Sequence, residues 1–269
     1  MTGYTETFRG DVHPWETDAT EHFTVAFYYE KFEAATWRFL RQNGVDPAAA
    51  RIVEALTHYK SELRVPDIFR VETALIEAGD APIIAHKMFN AATGALCTTL
   101  RLRFAGISLH GDTVVWDGDA PEDRPVPGEE GHWITTVRDI GRPSDADWAG
   151  NLSMFGIVYR FSSANTFILA EFGLTPEYIQ ENRVGLSTFE MLFAFHGQVK
   201  PGDMIDVESC LAHLGGSSVR FGHRMRNADT GEIVASLSQF GVQLDLGTRR
   251  PSRIADDLRT RAQSLLPDG

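Results

Sequence analysis

His86-Lys87-Met88-Phe89-Asn90-Ala91-Ala92-Thr93-Gly94 returns 137 positions later as His223-Arg224-Met225-Arg226-Asn227-Ala228-Asp229-Thr230-Gly231. In both places an alternating run ends in Asn-Ala-x-Thr-Gly, a composition suited to a hairpin connection between strands. Working outward, Pro14, Asp18, Phe32, Ala35, Gly44 and Pro47 each find the same residue 129 positions on, as Pro143, Asp147, Phe161, Ala164, Gly173 and Pro176. An ordered set of matches at nearly constant spacing marks an internal duplication. The change in spacing puts about eight extra residues in the second copy between Pro176 and His223, with Pro201-Gly202-Asp203 the expected place.

Each copy reads as one helix followed by strands. Thr5 to His13 alternates weakly, as a first strand would, and Pro14 breaks it. From Phe23 to Leu40, Tyr28, Phe32, Ala35 and Phe39 fall on one helical stripe, and Gly44 supplies a stop. The second copy reproduces the stripe as Ile157, Phe161, Ala164 and Ile168. A short helical piece is expected over Pro47 to Leu56. The period then changes to two over Thr57–Leu63, Phe69–Glu77, Ala81–Phe89 and Ala95–Phe104. The apolar face of such a meander needs the helix to cover it, which makes each copy an α+β layer. The expected organisation is a first domain over 1–105, a linker over 106–132 rich in Asp, Glu, Gly and Pro, a second domain over 133–248 and a helical tail over 249–269. The tail's helix is expected from Ile254 to Leu266, with no function assigned.

The formal charge of −12 argues against a broad nucleic-acid surface but leaves room for a local basic pocket. Cys97 and Cys210 lie in apolar runs, as buried thiols in a reducing compartment would. No apolar run has the length of a membrane span, so a cytoplasmic protein without membrane partners is expected. Dinucleotide and P-loop glycine patterns, the Gly-x-Ser-x-Gly elbow, Cys-x-x-Cys and His-Glu-x-x-His are all missing from the sequence, and the histidines form no metal-ligand cluster.

The chemistry-bearing stretch is Trp15-Glu16-Thr17-Asp18-Ala19-Thr20-Glu21-His22-Phe23. Asp18, just ahead of a helix, is equally a helix cap and a carboxylate poised to activate water or attack a carbonyl held by helix N-terminal amides. His22 would share its face if the helix has begun, either to orient water or simply to pack. The second copy has Asp147 with Asn151 in place of the histidine, and Gly150 in place of Glu21. His86 and His223 read as strand histidines at a domain seam ahead of any catalytic role. Lys60, Arg101 and Arg103 are basic strand residues that could meet ligand phosphates or only water.

Glu16-Thr17-Asp18-Ala19-Thr20-Glu21-His22-Phe23, followed by Tyr28 and Phe32-Glu33, resembles the opening motif of the hotdog-fold acyl-CoA thioesterases of the 4-hydroxybenzoyl-CoA thioesterase type. That motif is Asp-x-Asp-x-x-Gly-His-Val-Asn-Asn. This sequence departs from it at Glu16, Glu21, Thr24 and Val25. Thr57 to Leu63, His86-x-Met88 and Thr93-Gly94 also resemble the family's strands. The second copy keeps Asp147, Gly150 and Val199-Lys200-Pro201-Gly202-Asp203 but has Asn151-Leu152-Ser153 where the family has His-Val-Asn.

The resemblance implies two tandem hotdog domains, each a sheet wrapped around a central helix, with acyl-CoA or acyl-carrier-protein thioesters as ligands. Coenzyme A would enter as part of the substrate, with no separate cofactor and no metal, and such two-domain chains could associate further. Asp18 falls on the family's catalytic aspartate and His22 on its frequent histidine, with Asp147 and Asn151 as a weaker second site. Amides near Thr20 to His22 would serve as oxyanion donors, and Lys60 and Arg101 as ligand-binding cations. Two other readings stand beside the hydrolase: a hotdog hydratase or dehydratase on acyl thioesters, and a non-catalytic acyl-thioester-binding protein.

Overall fold

The computed structural model describes residues 3–18, 21–119, 128 and 131–266. The chain divides into two compact units, Met1–Pro121 with Arg142–Tyr159, and Glu122–Gly141 with Arg160–Gly269. The stretch that opens the second repeat, 142–159, groups with the first unit.

In the first unit, β1 (Thr5–Asp11) leads to helix α1 (Val25–Gln42), then to β2 (Arg51–Tyr59), β3 (Ile68–Glu77), β4 (Ile83–Asn90) and β5 (Leu96–Ala105). The strands lie in the order β1-β3-β4-β5-β2, all antiparallel. The expected stripe of α1 is buried: Tyr28, Phe32, Ala35 and Phe39, with Tyr29, Glu33, Thr36 and Leu40 on the adjoining row. Its end is set as the sequence predicts, by Gly44 in the left-handed region at φ 75 and the Val45 N–H on the Leu40 carbonyl. A helix over Pro47 to Leu56 does not form. A single 3-10 turn, Pro47–Ala49, precedes β2, whose β-branched Ile52, Val53 and Thr57 favour the pleat.

The second unit holds β6 (Ile134–Ile140), the later part of helix α2 (Met154–Phe172), α3 (Pro176–Asn182), β7 (Val184–Phe195), β8 (Met204–Leu214), β9 (Ser218–Asn227), β10 (Ile233–Asp245) and α4 (Asp256–Gln263). Its strand order is β6-β8-β9-β10-β7. The duplication reaches single hydrogen bonds. Thr7 and Thr136 each occupy a bulge, one in β1 and one in β6. Thr7 meets Thr73 at 2.6 Å, which meets His86 Nδ1 at 2.7 Å. Thr136 meets Ser209 at 2.8 Å, which meets His223 Nδ1 at 2.7 Å.

The extra residues of the second copy do not sit at Pro201-Gly202-Asp203. Lys60 and His196 make equivalent bonds, to the Cys97 and Val234 carbonyls. The Arg64 and Lys200 N–H groups each donate to the carboxylate three residues on, Asp67 and Asp203, so the spacing has already grown to 136 there. The growth lies in α3 and the longer β7, where Thr175 caps a true helix through the Tyr178 N–H at 3.2 Å.

His86 and His223 are wholly buried beneath the helix of their own unit, and burial lowers both to about 3, so both are neutral. In the first unit Thr36 of α1 completes the chain, 2.9 Å from His86 Nε2. Replacing Thr36 by Val is expected to leave that nitrogen unmatched and cost about 1–3 kcal/mol, read as a lowered urea midpoint. An unchanged midpoint would show that the hydroxyl carries no stability.

Candidate active site

The Asp18 and Asp147 turns are built alike. Asp18 N–H donates to the His22 carbonyl at 2.9 Å and its Oδ1 accepts the His22 N–H at 3.1 Å. Asp147 N–H donates to the Asn151 carbonyl at 2.7 Å, and its Oδ1 accepts the N–H groups of Ala149 at 2.8 Å and Asn151 at 2.9 Å. The position before His22 or Asn151 is left-handed, with Gly150 at φ 79 and Glu21 at φ 62. The family's glycine meets that need without strain, and Glu21 meets it as a non-glycine. Helix α1 starts only at Val25, after Thr24, so Asp18 is a turn-closing residue rather than a helix cap. His22 therefore does not share a helix face with it, and the amides of Glu21 and His22 are not a helix N-terminus; Thr20 lies outside the described residues. The His22 ring lies 3.1 Å from Glu62 and 2.7 Å from Arg64. Glu16, which stands for the family's first aspartate, is buried, bonded to Lys31 at 2.6 Å and to the His13 N–H at 2.9 Å.

The Asp147 turn opens onto a different setting. Ser153 N–H donates to the Asp145 carbonyl at 2.8 Å, and Ser153 Oγ accepts the Gly156 N–H at 3.0 Å, which starts α2. Glu33 of α1 meets that start: its Oε2 accepts the Phe155 N–H at 3.2 Å. Glu33 is buried, at 7% exposure, and desolvation raises its carboxyl to about 7. Asp147 adds to the rise, while the amides of Phe155 and Met154 and the Trp37 side chain hold it down. The Phe27 and Phe155 rings meet beside it in a tilted pair, 5.6 Å between centres. A carboxyl that titrates near neutrality, aimed at helix N-terminal amides, has the parts of a general base with an oxyanion site. Ser162 stands at the matching place in the second repeat, so α2 carries no such acid.

Glu33 was legible only as part of the Phe32-Glu33 pair in the family motif. One signal could have found it: an acid beside the apolar stripe, on the same row as Tyr29, Thr36 and Leu40. Of the other site residues, Asp147 and Asn151 lie near Glu33 through the turn that leads into α2. Lys60 and Arg101 do not: strand alternation puts His86 and Thr57 toward α1 and Lys60 and Arg101 on the opposite face of the sheet.

Residues 12–129 and 142–261 each match the model of the thioesterase-like superfamily. The chain belongs to that superfamily. Its fold is that of tandem hotdog thioesterases. An acyl-ACP thioesterase from Bacteroides thetaiotaomicron VPI-5482 is similar over 87% of this chain and 96% of its own, at TM-score 0.63 and 11% identity. A putative oleoyl thioesterase from Lactobacillus plantarum is similar over 89% and 96%, at TM-score 0.66 and 9% identity. A 12:0-ACP thioesterase from Umbellularia californica is similar over 91% and 94%, at TM-score 0.64 and 11% identity. No curated protein sequence matches the chain.

In this thioesterase-like chain the Asp147 carboxylate has a structural task that can be weighed. Asp147→Ala is expected to remove two turn bonds and cost about 1–2 kcal/mol, while Asp147→Asn, which retains an acceptor oxygen, costs less. Thermal melts of both variants check this, and equal losses would contradict it.

Proposed function

We propose that the chain hydrolyses an acyl thioester at the centre formed by Glu33 and the first amides of α2. The observation that carries this reading is the buried Glu33 carboxyl, raised to about 7, on the Phe155 N–H. The substrate carbonyl oxygen takes the place of Glu33 Oε2 on that amide. Glu33 removes a proton from water as the water's oxygen bonds to the carbonyl carbon. The tetrahedral oxyanion rests on the amides of Met154 and Phe155, where the helix dipole favours it. Collapse breaks the C–S bond, and the proton held by Glu33 goes to the departing sulfur. Free acid and thiol result, and Glu33 is again a carboxylate.

In this reading Asp147 and Asn151 fix the turn that presents α2, and Asp18 and His22 form the corresponding turn before α1 with a lesser part in turnover. The substrate class is an acyl group on coenzyme A or on a carrier protein. The neighbours similar over most of the chain and named for acyl-ACP favour the carrier protein. A reducing, cytoplasmic setting is supported by Cys97 and Cys210, both buried free thiols that desolvation raises to about 11 and about 12. Among the described residues no helix is long and apolar enough to cross a membrane. Thiol release across short, long, branched and aromatic acyl thioesters tests the proposal. Absence of turnover on every acyl-CoA and acyl-carrier protein would overturn it.

A further inference from the structure

The face of the first sheet turned away from α1 carries a cluster of cations that the hydrolytic centre does not use. Register places His58, Thr99 and Lys87 side by side across β2, β5 and β4, with Arg101 two residues along β5 and Lys60 just past β2 on the same face. A described part of the acidic connecting segment lies over them. Lys60 pairs with Asp119. Lys87 Nζ donates to both oxygens of Asp117, at 2.7 and 2.9 Å. The Arg101 guanidinium stands 6.0 Å from the Trp116 ring, and His58 Nδ1 is 3.9 Å from Asp119.

Two further observations separate this place from an ordinary solvated ion-pair surface. Lys87 is mostly buried, at 14% side-chain exposure, whereas its partner Asp117 is 67% exposed, so the base is built in and the acid is peripheral. Beneath the strap, Thr99 Oγ1, Arg101 Nε and Tyr4 Oη are buried without a hydrogen-bond partner among the described residues, and Thr99 is only 2% exposed. Buried polar atoms are ordinarily matched, and three orphans around one lysine call for a ligand that would match them. Tyr4 belongs to the same cluster, because Lys87 sits 4.6 Å over its ring.

The matching face of the second repeat is arranged differently. There Arg224 stacks on Trp133 at 4.2 Å and pairs with its cross-strand neighbour Glu208 of β8 at 2.5 Å. In the first repeat the matching Glu72 turns to Arg70, at 3.0 Å, and Lys87 is left to the strap.

We propose that this face of the first sheet is a binding site for a phosphate-bearing anion, held by Lys87, Lys60, Arg101, Thr99 and Tyr4, and that Asp117 and Asp119 occupy it as an internal stand-in until such a ligand displaces them. Two carboxylates bridged to lysines copy the charge of a phosphate with its neighbour, and phosphate offers the acceptor oxygens that Thr99, Tyr4 and Arg101 lack. The site lies across the sheet from Glu33 and does not rest on the hydrolase reading.

The test is titration calorimetry of the whole protein, without acyl substrate, using inorganic phosphate and adenosine 3′,5′-bisphosphate as probes. Asp117→Asn with Asp119→Asn removes the competing acids and is expected to tighten binding about tenfold. Lys87→Gln is expected to abolish binding. Arg101→Gln, expected to weaken it, serves as the second variant should the first unfold by circular dichroism. Binding should also change Trp116 emission, and that change should vanish in Trp116→Phe. Equal affinity for the two probes identifies a free-phosphate site, and preference for the bisphosphate identifies the nucleotide end of a coenzyme. No binding of either probe at millimolar concentration by both wild type and the double Asn variant overturns the proposal, as does binding that survives Lys87→Gln. Because no turnover is read, these outcomes stand apart from the presence or absence of thioesterase activity.

Discussion

Glu33→Gln should lower turnover about a thousandfold and at the same time make the protein more stable above neutral pH. The activity loss follows from removing the base while leaving a side chain of nearly the same shape. The stability gain follows from linkage. Burial raises the Glu33 carboxyl to about 7 from its ordinary 4.5, so the native state holds this proton more tightly than the unfolded chain does. The associated stability is fully present below the ordinary value and is lost as the pH rises through about 7. Above that, the wild type bears a penalty of about 3 kcal/mol, an upper figure from the size of the shift. A glutamine side chain does not titrate, so the variant's melting temperature should stay flatter across that window. Wild-type kcat should rise with pH to a plateau above about 7, as Glu33 becomes the carboxylate that acts as base. A variant that is inactive and equally destabilised at every pH would point to misfolding instead.

Ending the chain at Arg253 should cost the second unit most of its stability. The tail carries no functional signal in sequence, and its helix is shorter than expected, Asp256–Gln263 rather than Ile254 to Leu266. Ile254, Leu258, Ala262 and Leu265 are nonetheless buried with Phe172, Leu174, Leu211, Val219 and Phe221 in one cluster. Burial of two leucines and an isoleucine is worth about 5–8 kcal/mol, comparable with the whole stability of a domain. Gly173, at φ 103, sits where an added Cβ would lie 2.8 Å from Leu258, so the tail packs directly on the end of α2. The truncated chain should aggregate or melt tens of degrees lower. Leu258→Ala, expected to cost about 2–4 kcal/mol, gives a folded intermediate case. A truncated protein with an unchanged second-unit melt would contradict this packing.

The architecture was readable because it is written twice. A helix stripe, a left-handed Gly44 and Gly173, and hairpins ending in Thr-Gly are local signals, and a second copy turned weak local signals into a pattern. Thr175-Pro176-Glu177 carries a helix start, a cap followed by Pro at the first position, whereas the growth in repeat spacing by itself does not distinguish this place from the Pro201 turn. The short helix expected after Pro47 failed because Ile52, Val53 and Thr57 pack better on a pleat. The site was less readable than the fold. Asp18 and Asp147 stand out in any linear reading, yet their oxygens close turns. Glu33 gains its chemistry only when Phe155, far along the chain, brings a helix end to it, and no window around residue 33 contains that fact. Arg101 lies in a strand as expected, while Lys60 falls just past the end of β2, and period-two alternation applied from His86 outward puts both across the sheet from the helix.

Glu33 rather than Asp18 is the proposed base, and parallel thiol-release assays on Glu33→Gln and Asp18→Asn, both shown folded by circular dichroism, test this most directly. The expected result is a loss of about a thousandfold in kcat/KM for Glu33→Gln and less than about tenfold for Asp18→Asn. Near-normal hydrolysis by Glu33→Gln, with activity abolished in Asp18→Asn, would place the reaction at the other turn and contradict it.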